Sequence, residues 1–277
     1  MENLFLFDRD KLIIELNEEQ SPGHLDQIEL FYDDTAQLFD SISEIIATSQ
    51  LAVTYVSARP DQFAAAPASE PSGWLLQWPD GLHGLSCIIR SDDQGQTNAL
   101  QAVFPFSSEG VTCSCRLLGV RLFNNRLEAQ LQVLVGEEEE LALTFYDSRY
   151  LHDRLAYRKD ATYQFVLRAF AYVFAALAPG EDSVDGLWAL FNREELGADH
   201  YEIHGPVRAV AEYELPMLGQ KLWRVSVVIG CSSEMEEQLL DILVSAKVLG
   251  KGKPPMVGDQ VRAVVWLQGH LWGETAA

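Results

Sequence analysis

Basic residues are scarce in this sequence. Among its 277 residues, 20 Lys and Arg stand against 41 Asp and Glu, which gives a formal net charge of −21. Phosphate backbones and anionic lipid headgroups are bound mainly through Lys and Arg. The composition therefore disfavours nucleic acid and membranes as partners and favours a basic protein.

Long hydrophobic runs are also missing. No stretch approaches the roughly 18 to 20 consecutive apolar residues that cross a bilayer. The first residues, Met1 to Glu19, include Phe5 to Phe7, but Asp8, Arg9 and Asp10 follow at once. This is not the basic segment followed by an apolar core that a signal peptide has. We therefore expect a cytoplasmic protein.

The glycine-rich and nucleophile motifs of several enzyme classes are absent. The sequence has no Gly-x-x-x-x-Gly-Lys-Ser/Thr, no Gly-x-Gly-x-x-Gly and no Gly-x-Ser-x-Gly. Those motifs position phosphates, dinucleotides and a nucleophilic serine. Their absence disfavours ATPases, dinucleotide oxidoreductases and α/β-hydrolases, and we expect no cofactor.

Four cysteines are too few for a disulfide scaffold in a chain of this length. Cys87 and Cys231 lie in apolar runs and are interpreted as small buried hydrophobic residues. Cys113 and Cys115 share one face of a strand, because side chains alternate with a period of two. That pair offers half of a thiolate metal site, but no second cysteine pair completes a tetrahedral set.

Acidic residues are plentiful, and they are concentrated at the N-terminal end. Residues 1–50 contain twelve Asp and Glu against Arg9 and Lys11, whereas residues 251–277 carry a net charge of +1. One interpretation is a solvated face that keeps the protein soluble. The other is a docking surface for a basic partner, to which Asp33 and Asp34 would belong.

An amphipathic helix of about 24 residues is predicted near the N-terminus, since Ser21 and Pro22 suit the N-cap and first helical positions. The following apolar residues recur at spacings of three and four, which is typical of one helical face. They are Leu25, Ile28, Phe31, Leu38, Phe39, Ile42, Ile45 and Ile46.

The segment from 51 to 110 is predicted to be largely β. Leu51–Ser57, Trp74–Trp78, Leu85–Arg90 and Ala99–Phe106 are short apolar runs separated by turn residues. The Ala- and Pro-rich stretch over 64–73 buries little area and is interpreted as an exposed loop.

A weak internal repeat follows residue 110. Two segments share the order strand, acidic turn, strand, polar loop, strand, which suits a small OB-like barrel. The first contains Leu131–Gly136, Glu137–Glu140, Leu141–Phe145 and, after Lys159 and Asp160, Tyr163–Leu167. The second contains Val225–Gly230, Glu234–Glu237, Leu239–Leu243 and, after Gly258 and Asp259, Arg262–Trp266.

The sequence therefore predicts an α+β protein that is predominantly antiparallel β, with two weakly repeated barrel-like units. The expected divisions are an N-terminal helix with a β-rich region over 1–110, units over 111–180 and 201–277, and a connecting helix over 181–200. For that helix Ser183 is the expected cap and Trp188 packs onto the β units. Residues 163–178 are almost wholly apolar, so their periodicity fits both a helix and a strand.

The most enzyme-like constellation is His200, Glu202 and His204. Two imidazoles and a carboxylate on one face would hold a divalent metal with Glu202 as a ligand or base. A metal-dependent hydrolase is therefore one functional hypothesis. The alternative is a loop-to-strand junction with two exposed histidines.

The last candidate region lies near the C-terminus. Lys251 and Lys253 form a basic loop in an acidic protein, and Trp266 and Trp272 follow it. The tryptophans are interpreted either as core of the last strand or as an aromatic binding edge. Our leading hypothesis is a non-enzymatic interaction protein, such as an inhibitor, immunity or assembly factor, that binds a basic partner. An OB-type module for single-stranded nucleic acid is a further alternative function. The sequence is also compatible with a homo-oligomer.

Overall fold

The computed structural model describes residues 12–15, 24–32, 35–55, 72–78, 82–91, 98–136, 141–177, 187–215, 220–231 and 236–273. The described helices are α1 (Leu25–Ile28), α2 (Thr35–Thr48), α3 (Tyr150–Asp153) and α4 (Ala246–Leu249). The strands are β1 (Ile13–Glu15), β2 (Gln50–Tyr55), β3 (Ser72–Trp78), β4 (His83–Ser91), β5 (Asn98–Ser107), β6 (Val111–Leu122), β7 (Ala129–Val135), β8 (Leu141–Asp147), β9 (Thr162–Ala176), β10 (Ala189–Asn192), β11 (His200–Leu215), β12 (Gln220–Cys231), β13 (Glu237–Ser245) and β14 (Gln260–Leu271).

The protein is strand-rich, with few helices and mostly antiparallel pairing, as the sequence predicts. Ten strands form one sheet in the order β1-β6-β7-β8-β14-β9-β13-β12-β11-β10, and β2-β3-β4-β5 form a second. Only the β1–β6, β8–β14 and β9–β13 pairs of the described strands are parallel. None of the described helices is long and apolar enough to span a bilayer.

Two further pairings close the large sheet into two rings. The β6–β9 pairing closes the ring β6-β7-β8-β14-β9, and the β11–β14 pairing closes the ring β11-β12-β13-β9-β14. We call these ring 1 and ring 2. Strands β9 and β14 pair with each other and belong to both rings. Each ring therefore contains a strand from the sequence segment that forms most of the other.

One hydrophobic cluster fills both rings. Alternate residues of each strand point inward, which is the period expected of a sheet with one buried face. The cluster runs through both rings without interruption. Its fully buried members include Leu117, Leu131, Phe145, Phe165, Ile203, Val225, Ile242, Ala263 and Val265.

The four-stranded sheet is covered on both faces. Leu85, Cys87 and Val103 point to one face and pack with Leu38 and Ile45 of α2. The opposite face, including Ile88, Ala102 and Phe104, packs on Phe170 and Trp266 of the shared strands. The sheet is thus the middle layer between α2 and the rings.

The single N-terminal helix predicted from Ser21 onward is wrong in extent: α1 ends at Ile28 and α2 begins at Thr35. Leu30 and Phe31 pack against the rings, whereas Leu38 packs on the other side of the four-stranded sheet. One straight helix would not reach both places. Side chains replace the lost helical bonds, because Ser245 Oγ donates to Leu30 O at 2.6 Å and Lys247 Nζ to Tyr32 O at 2.6 Å.

The predicted connecting helix over 181–200 is wrong where the structure describes it. Ala189–Asn192 forms β10, which pairs antiparallel with residues 201–204 of β11. Leu190 packs against the ring core while Phe191 is exposed, so the segment follows the two-residue period of a strand. Trp188 is half-exposed instead of packing into the β units, and Ser183 lies outside the described residues.

Residues 163–178, for which helix and strand were both open, form β9 up to Ala176. The strand has neighbours on both sides, and its two faces meet the ring core and the four-stranded sheet. A strand buried on both faces reads as a continuous apolar run. The pairing partners, which a single-sequence pattern does not reveal, decide between helix and strand here.

Candidate functional site

The three residues of the His-Glu-His pattern lie on one face of β11. Tyr201 and Ile203 point into the ring core, so His200, Glu202 and His204 point outward. The three side chains therefore share one face, as the metal-site hypothesis requires. The groups that contact these side chains determine whether that face can bind a metal.

Two arginine side chains bind the Glu202 carboxylate. Arg262 Nε donates to Oε1 at 2.7 Å and Arg193 Nη1 donates to Oε2 at 2.5 Å, while His204 Nε2 lies 2.9 Å from Oε1. The hydrogen bond from Arg262, then that from His204, lowers the pKa of Glu202 to about 2. Among the described residues no group of three or more His, Cys, Asp and Glu is placed to hold a metal. The cluster ties the end of β10 to β11 and β14.

His200 turns away from this cluster into a buried polar network. Its Nε2 lies 3.0 Å from Tyr172 Oη, and its Nδ1 lies 3.0 Å from Asp199 Oδ1. Burial alone would raise the pKa of Asp199, but hydrogen bonds from His200, Trp266 and Gln130 together lower it. Asp199 is therefore an ionised group inside the protein, held by its donors.

Trp266 is part of the same network, and its interpretation as an aromatic binding edge is wrong. The side chain is 1% exposed, and its Nε1 donates to Asp199 Oδ2 at 2.9 Å. Its ring packs on Phe170 and Tyr146. The four-stranded sheet and the rings meet at this indole, so Trp266 is a core residue that makes one polar contact.

A second buried carboxylate anchors the start of α1. Glu128 Oε1 accepts from Tyr146 Oη at 2.7 Å and lies 2.5 Å from His24 Nε2, and Asn125 also donates to Glu128. The His24 ring packs between Phe104, Tyr146 and Trp266. This network joins the N-terminal layer to ring 1, and no sequence motif predicts it.

The remaining binding candidates are not brought together. Lys251 and Lys253 are exposed and precede β14, whereas Trp272 is 62% exposed and follows β14. Twelve residues of strand separate the two ends. Asp33 and Asp34 lie outside the described residues.

Acidic side chains that precede and follow those two positions in the sequence are exposed. Asp26 and Glu29 extend from α1, and Asp40 and Glu44 from the outer side of α2. Within the described residues none of the four forms an ion pair with a basic side chain. The sequence from 12 to 89 contains twelve Asp and Glu against Arg59 alone. We call Asp26, Glu29, Asp40 and Glu44 the acidic layer.

Asp147 and Asp153 form a buried carboxyl pair that no sequence motif marks. Tyr157 Oη donates to Asp147 Oδ2 at 2.5 Å, and the Arg149 backbone N–H donates to Oδ1 at 3.0 Å. Burial, followed by the charge of Asp153, raises the pKa of Asp147 to about 7. Both residues are nearly inaccessible, at 2% and 1% exposure. Burial favours the protonated form of both carboxyls, and the pair lies beyond the reach of a substrate.

His83 lines a cavity of about 10 Å³, room for about one water molecule. The Ser107 hydroxyl donates to Glu109 O at 3.1 Å, so His83 Nδ1, 2.9 Å from Ser107 Oγ, is the donor in that contact. Phe106 and Phe170 complete much of the wall. Its size and apolar walls suit packing between layers, not a substrate.

The four cysteines are free thiols. Burial raises the pKa of Cys87 to about 12 and of Cys113 to about 11, and it also raises the pKa of Cys115. Neutral thiols are poor nucleophiles and poor metal ligands. Cys113 and Cys115 pack with the ring core, which is the role of small hydrophobic residues.

Comparison with protein families and with curated proteins gives no match. Among solved structures, the chain is similar to the cytoplasmic molybdate-binding protein ModG, crystallised with molybdate bound. The sequences are 13% identical and the TM-score is 0.29, over 57% of this chain and 94% of that chain. A similarity at this level carries no argument about the present protein.

Proposed function

We propose that the protein is a non-enzymatic interaction protein that binds a basic protein partner through the acidic layer. The observation that carries this proposal is the exposed position of Asp26, Glu29, Asp40 and Glu44 along α1 and α2, with no ion pair to a basic side chain among the described residues. Uncompensated charge of one sign steers an oppositely charged partner and favours its encounter.

The acidic side chains of the rings differ from those of the acidic layer in their partners. Several acidic side chains there are already neutralised by a basic side chain on a neighbouring strand. The pairs are Glu202–Arg262, Glu212–Lys221, Glu237–Arg208 and Glu109–Arg224. Neutralisation of these four carboxylates by basic neighbours lowers the negative charge of the rings, which supports a docking surface on the acidic layer.

The helical layer is also suited to present these charges. The apolar side of α2, including Leu38 and Ile45, is buried on the four-stranded sheet. Tertiary packing of this apolar side stabilises the helix from which the outer side chains extend. Asp40 and Glu44 are four residues apart, so both lie on that outer side.

The test is a salt-dependent binding measurement with an oligolysine peptide as the probe. The quadruple variant Asp26→Asn, Glu29→Gln, Asp40→Asn, Glu44→Gln should bind at least tenfold more weakly at low salt, with a shallower salt dependence. The control neutralises Glu195, Glu212, Glu214 and Glu237 on the rings to Gln. Equal losses in both variants would contradict the proposal, because binding would then follow net charge alone.

We also propose that the two rings are OB-like units that arose by duplication and exchanged their last strands. The meanders β6-β7-β8 and β11-β12-β13 occupy corresponding places in the sheet order, and β9 and β14 lie between them. A barrel of five strands is the OB architecture. The pairing pattern supports this proposal independently of sequence identity between the units.

A further inference from the structure

We propose that the end of β14 carries a binding site for a small oxygen anion, such as phosphate or a carboxylate, between His270 and Arg149. His270 is the second-last residue of β14 and is 7% exposed. Arg149 immediately precedes α3, the short helix that follows β8. The site shares no residue with the acidic layer, so it is independent of the function proposed above.

Backbone contacts bring these two residues to the same place. Strands β8 and β14 pair in parallel, with Asp147 opposite Gly269. The Ser148 N–H also donates to Gly269 O at 3.0 Å. Arg149 and His270 each follow one of these bonded residues directly. They therefore lie at the same end of two neighbouring strands.

A buried arginine fixes the proton on the His270 ring. Arg168 is 1% exposed, and its Nη1 donates to His270 Nδ1. A guanidinium only donates, so Nδ1 is the acceptor and the proton of the neutral ring is on Nε2. His270 Nε2 has no hydrogen-bond partner among the described residues, yet it is not one of their fully buried unpartnered atoms. It is therefore a donor that an incoming acceptor can reach.

The charges around this donor are positive, although the protein has a net charge of −21. Burial, then the charge of Arg168 and that of Arg149, lower the pKa of His270 to about 2. The imidazole is thus neutral at physiological pH, and both of these charges have the same sign. An N–H donor in a positive potential favours an anion over a neutral acceptor.

Arg149 has donors available for the same ligand. Within the part of the chain that the structure describes, its side chain forms no hydrogen bond or ion pair. The nearby carboxyls of Asp147 and Asp153 contact Tyr157 and His152 instead. Burial favours the protonated form of both carboxyls, so they offset the charge of Arg149 only in part. A planar guanidinium suits two oxygens of one anion.

Arg168 adds a charge without a contacting counter-ion. Its Nη2 donates to Ser148 Oγ at 2.5 Å and to Gln268 Oε1 at 3.3 Å, which are neutral groups, and its Nε is buried without a partner. No carboxylate of the described residues forms an ion pair with this guanidinium. A buried charge is normally paired. An anion at His270 Nε2 places a negative charge on the other side of the imidazole, which offsets the burial of Arg168.

The first test measures the melting temperature of the full chain in sodium phosphate, sodium acetate and sodium chloride at equal ionic strength. A ligand of the folded state stabilises it in a saturable way, so phosphate or acetate should raise the melting temperature until it reaches a plateau, and chloride should not. A plateau with both anions assigns the site to any oxygen anion, and one with phosphate alone assigns it to a tetrahedral anion.

The variant Arg149→Gln removes one ligand group and should weaken the apparent affinity by at least about tenfold. The control Arg90→Gln changes an exposed arginine of β4 and should leave the affinity unchanged. Because neither side chain is part of the buried core, both variants should melt like wild type without the anion. Equal affinities in wild type and Arg149→Gln would overturn the proposal.

A second measurement locates the anion. In protein labelled with ¹⁵N-histidine, the His270 resonances should be those of a neutral ring with the proton on Nε2. The Nε2 resonance should shift as phosphate or acetate saturates the site, and the shift should be much smaller in Arg149→Gln at the same concentration. A His270 resonance that responds to neither anion would contradict the site, even where the melting temperature rises.

Discussion

At the scale of single residues, buried charge organises the junction between the layers. Asp199 and Glu128 are 4% and 1% exposed, yet each accepts several hydrogen bonds. A buried carboxylate is tolerated when donors replace water. Trp266 and Tyr146 supply donors to these groups and also pack between the rings and the four-stranded sheet. The same two side chains thus pack the layers together and donate hydrogen bonds to the buried carboxylates.

The sequence limits what could be inferred about these residues. Trp266 lies in an apolar strand, so core and binding edge were both compatible with its pattern. Asp199 precedes His200 in a polar loop and has no motif that marks it as buried. The contact between them joins a turn to a strand 67 positions away, and such contacts follow from topology, not from local spacing.

The first residue-scale prediction compares two tryptophans. Trp266→Phe removes the donor at 2.9 Å from Asp199 and some buried volume, so it should lower the free energy of unfolding by about 2–4 kcal/mol. Trp272→Phe, at a 62% exposed position, should change it by less than about 0.5 kcal/mol. Urea unfolding measures both. Equal effects would mean that the Asp199 contact contributes nothing.

The second concerns pH and Asp147. Its pKa is raised from 3.8 to about 7 in the folded protein, first by burial and then by Asp153. The folded state therefore binds more protons than the unfolded state between these values, and stability falls as pH rises through that window. Asp147→Asn should flatten this part of the stability profile. The surface control Asp160→Asn, 60% exposed, should leave the slope in place, and an unchanged slope in the Asp147 variant would contradict the assignment.

At the scale of elements, strands were predicted well where an apolar run had clear turn residues on both sides. The predicted runs at Trp74–Trp78, Leu85–Arg90 and Ala99–Phe106 correspond to β3, β4 and β5. The prediction of a helix around Trp188 is wrong, because the apolar spacing that fits a helical face belongs to strand β10 and its flanking residues. Pairing with β11 outweighs that local preference, as tertiary context often does.

The sequence overlay of the two units shows the same limit in finer detail. It sets Leu131 on Val225, and both lie in the ring core. It also sets Phe145 on Leu243, but Phe145 points into the ring core whereas Leu243 points to the four-stranded sheet. Ile242, one residue earlier, is the ring-core residue. A shift of one residue moves every side chain of a strand to the opposite face. The two units can therefore be aligned only by the register of their strands.

The element-scale prediction concerns β14. This strand pairs with β8, β9 and β11, so it contributes to both rings. A chain that ends at Pro255 lacks it and leaves hydrophobic edges in each ring. We expect this truncation to be insoluble or to lack a cooperative melt. The control truncation after Gly273 keeps β14 and should melt close to the full-length temperature; a cooperative melt of the shorter chain would show that β14 is peripheral.

At the scale of the whole molecule, two rings, one middle sheet and a helical layer are joined through shared parts. Strands β9 and β14 belong to both rings, and one hydrophobic cluster runs through them. On their outer side the same strands contact the four-stranded sheet through Phe170 and Trp266. Because the rings share strands and a hydrophobic core, a mutation that destabilises one ring should also destabilise the other.

The last prediction tests that coupling. Leu131→Ala in ring 1 and Ile242→Ala in ring 2 each remove a side chain of 0% exposure, at an expected cost of about 2–5 kcal/mol. Because neither ring is complete without strands of the other, both variants should lower the same calorimetric transition of the rings, with van't Hoff and calorimetric enthalpies in agreement. Two transitions, each lowered by only one variant, would mean that the rings fold separately. The shared strands make that outcome physically costly, since unfolding ring 2 alone would pull β14 from between β8 and β9 and open ring 1.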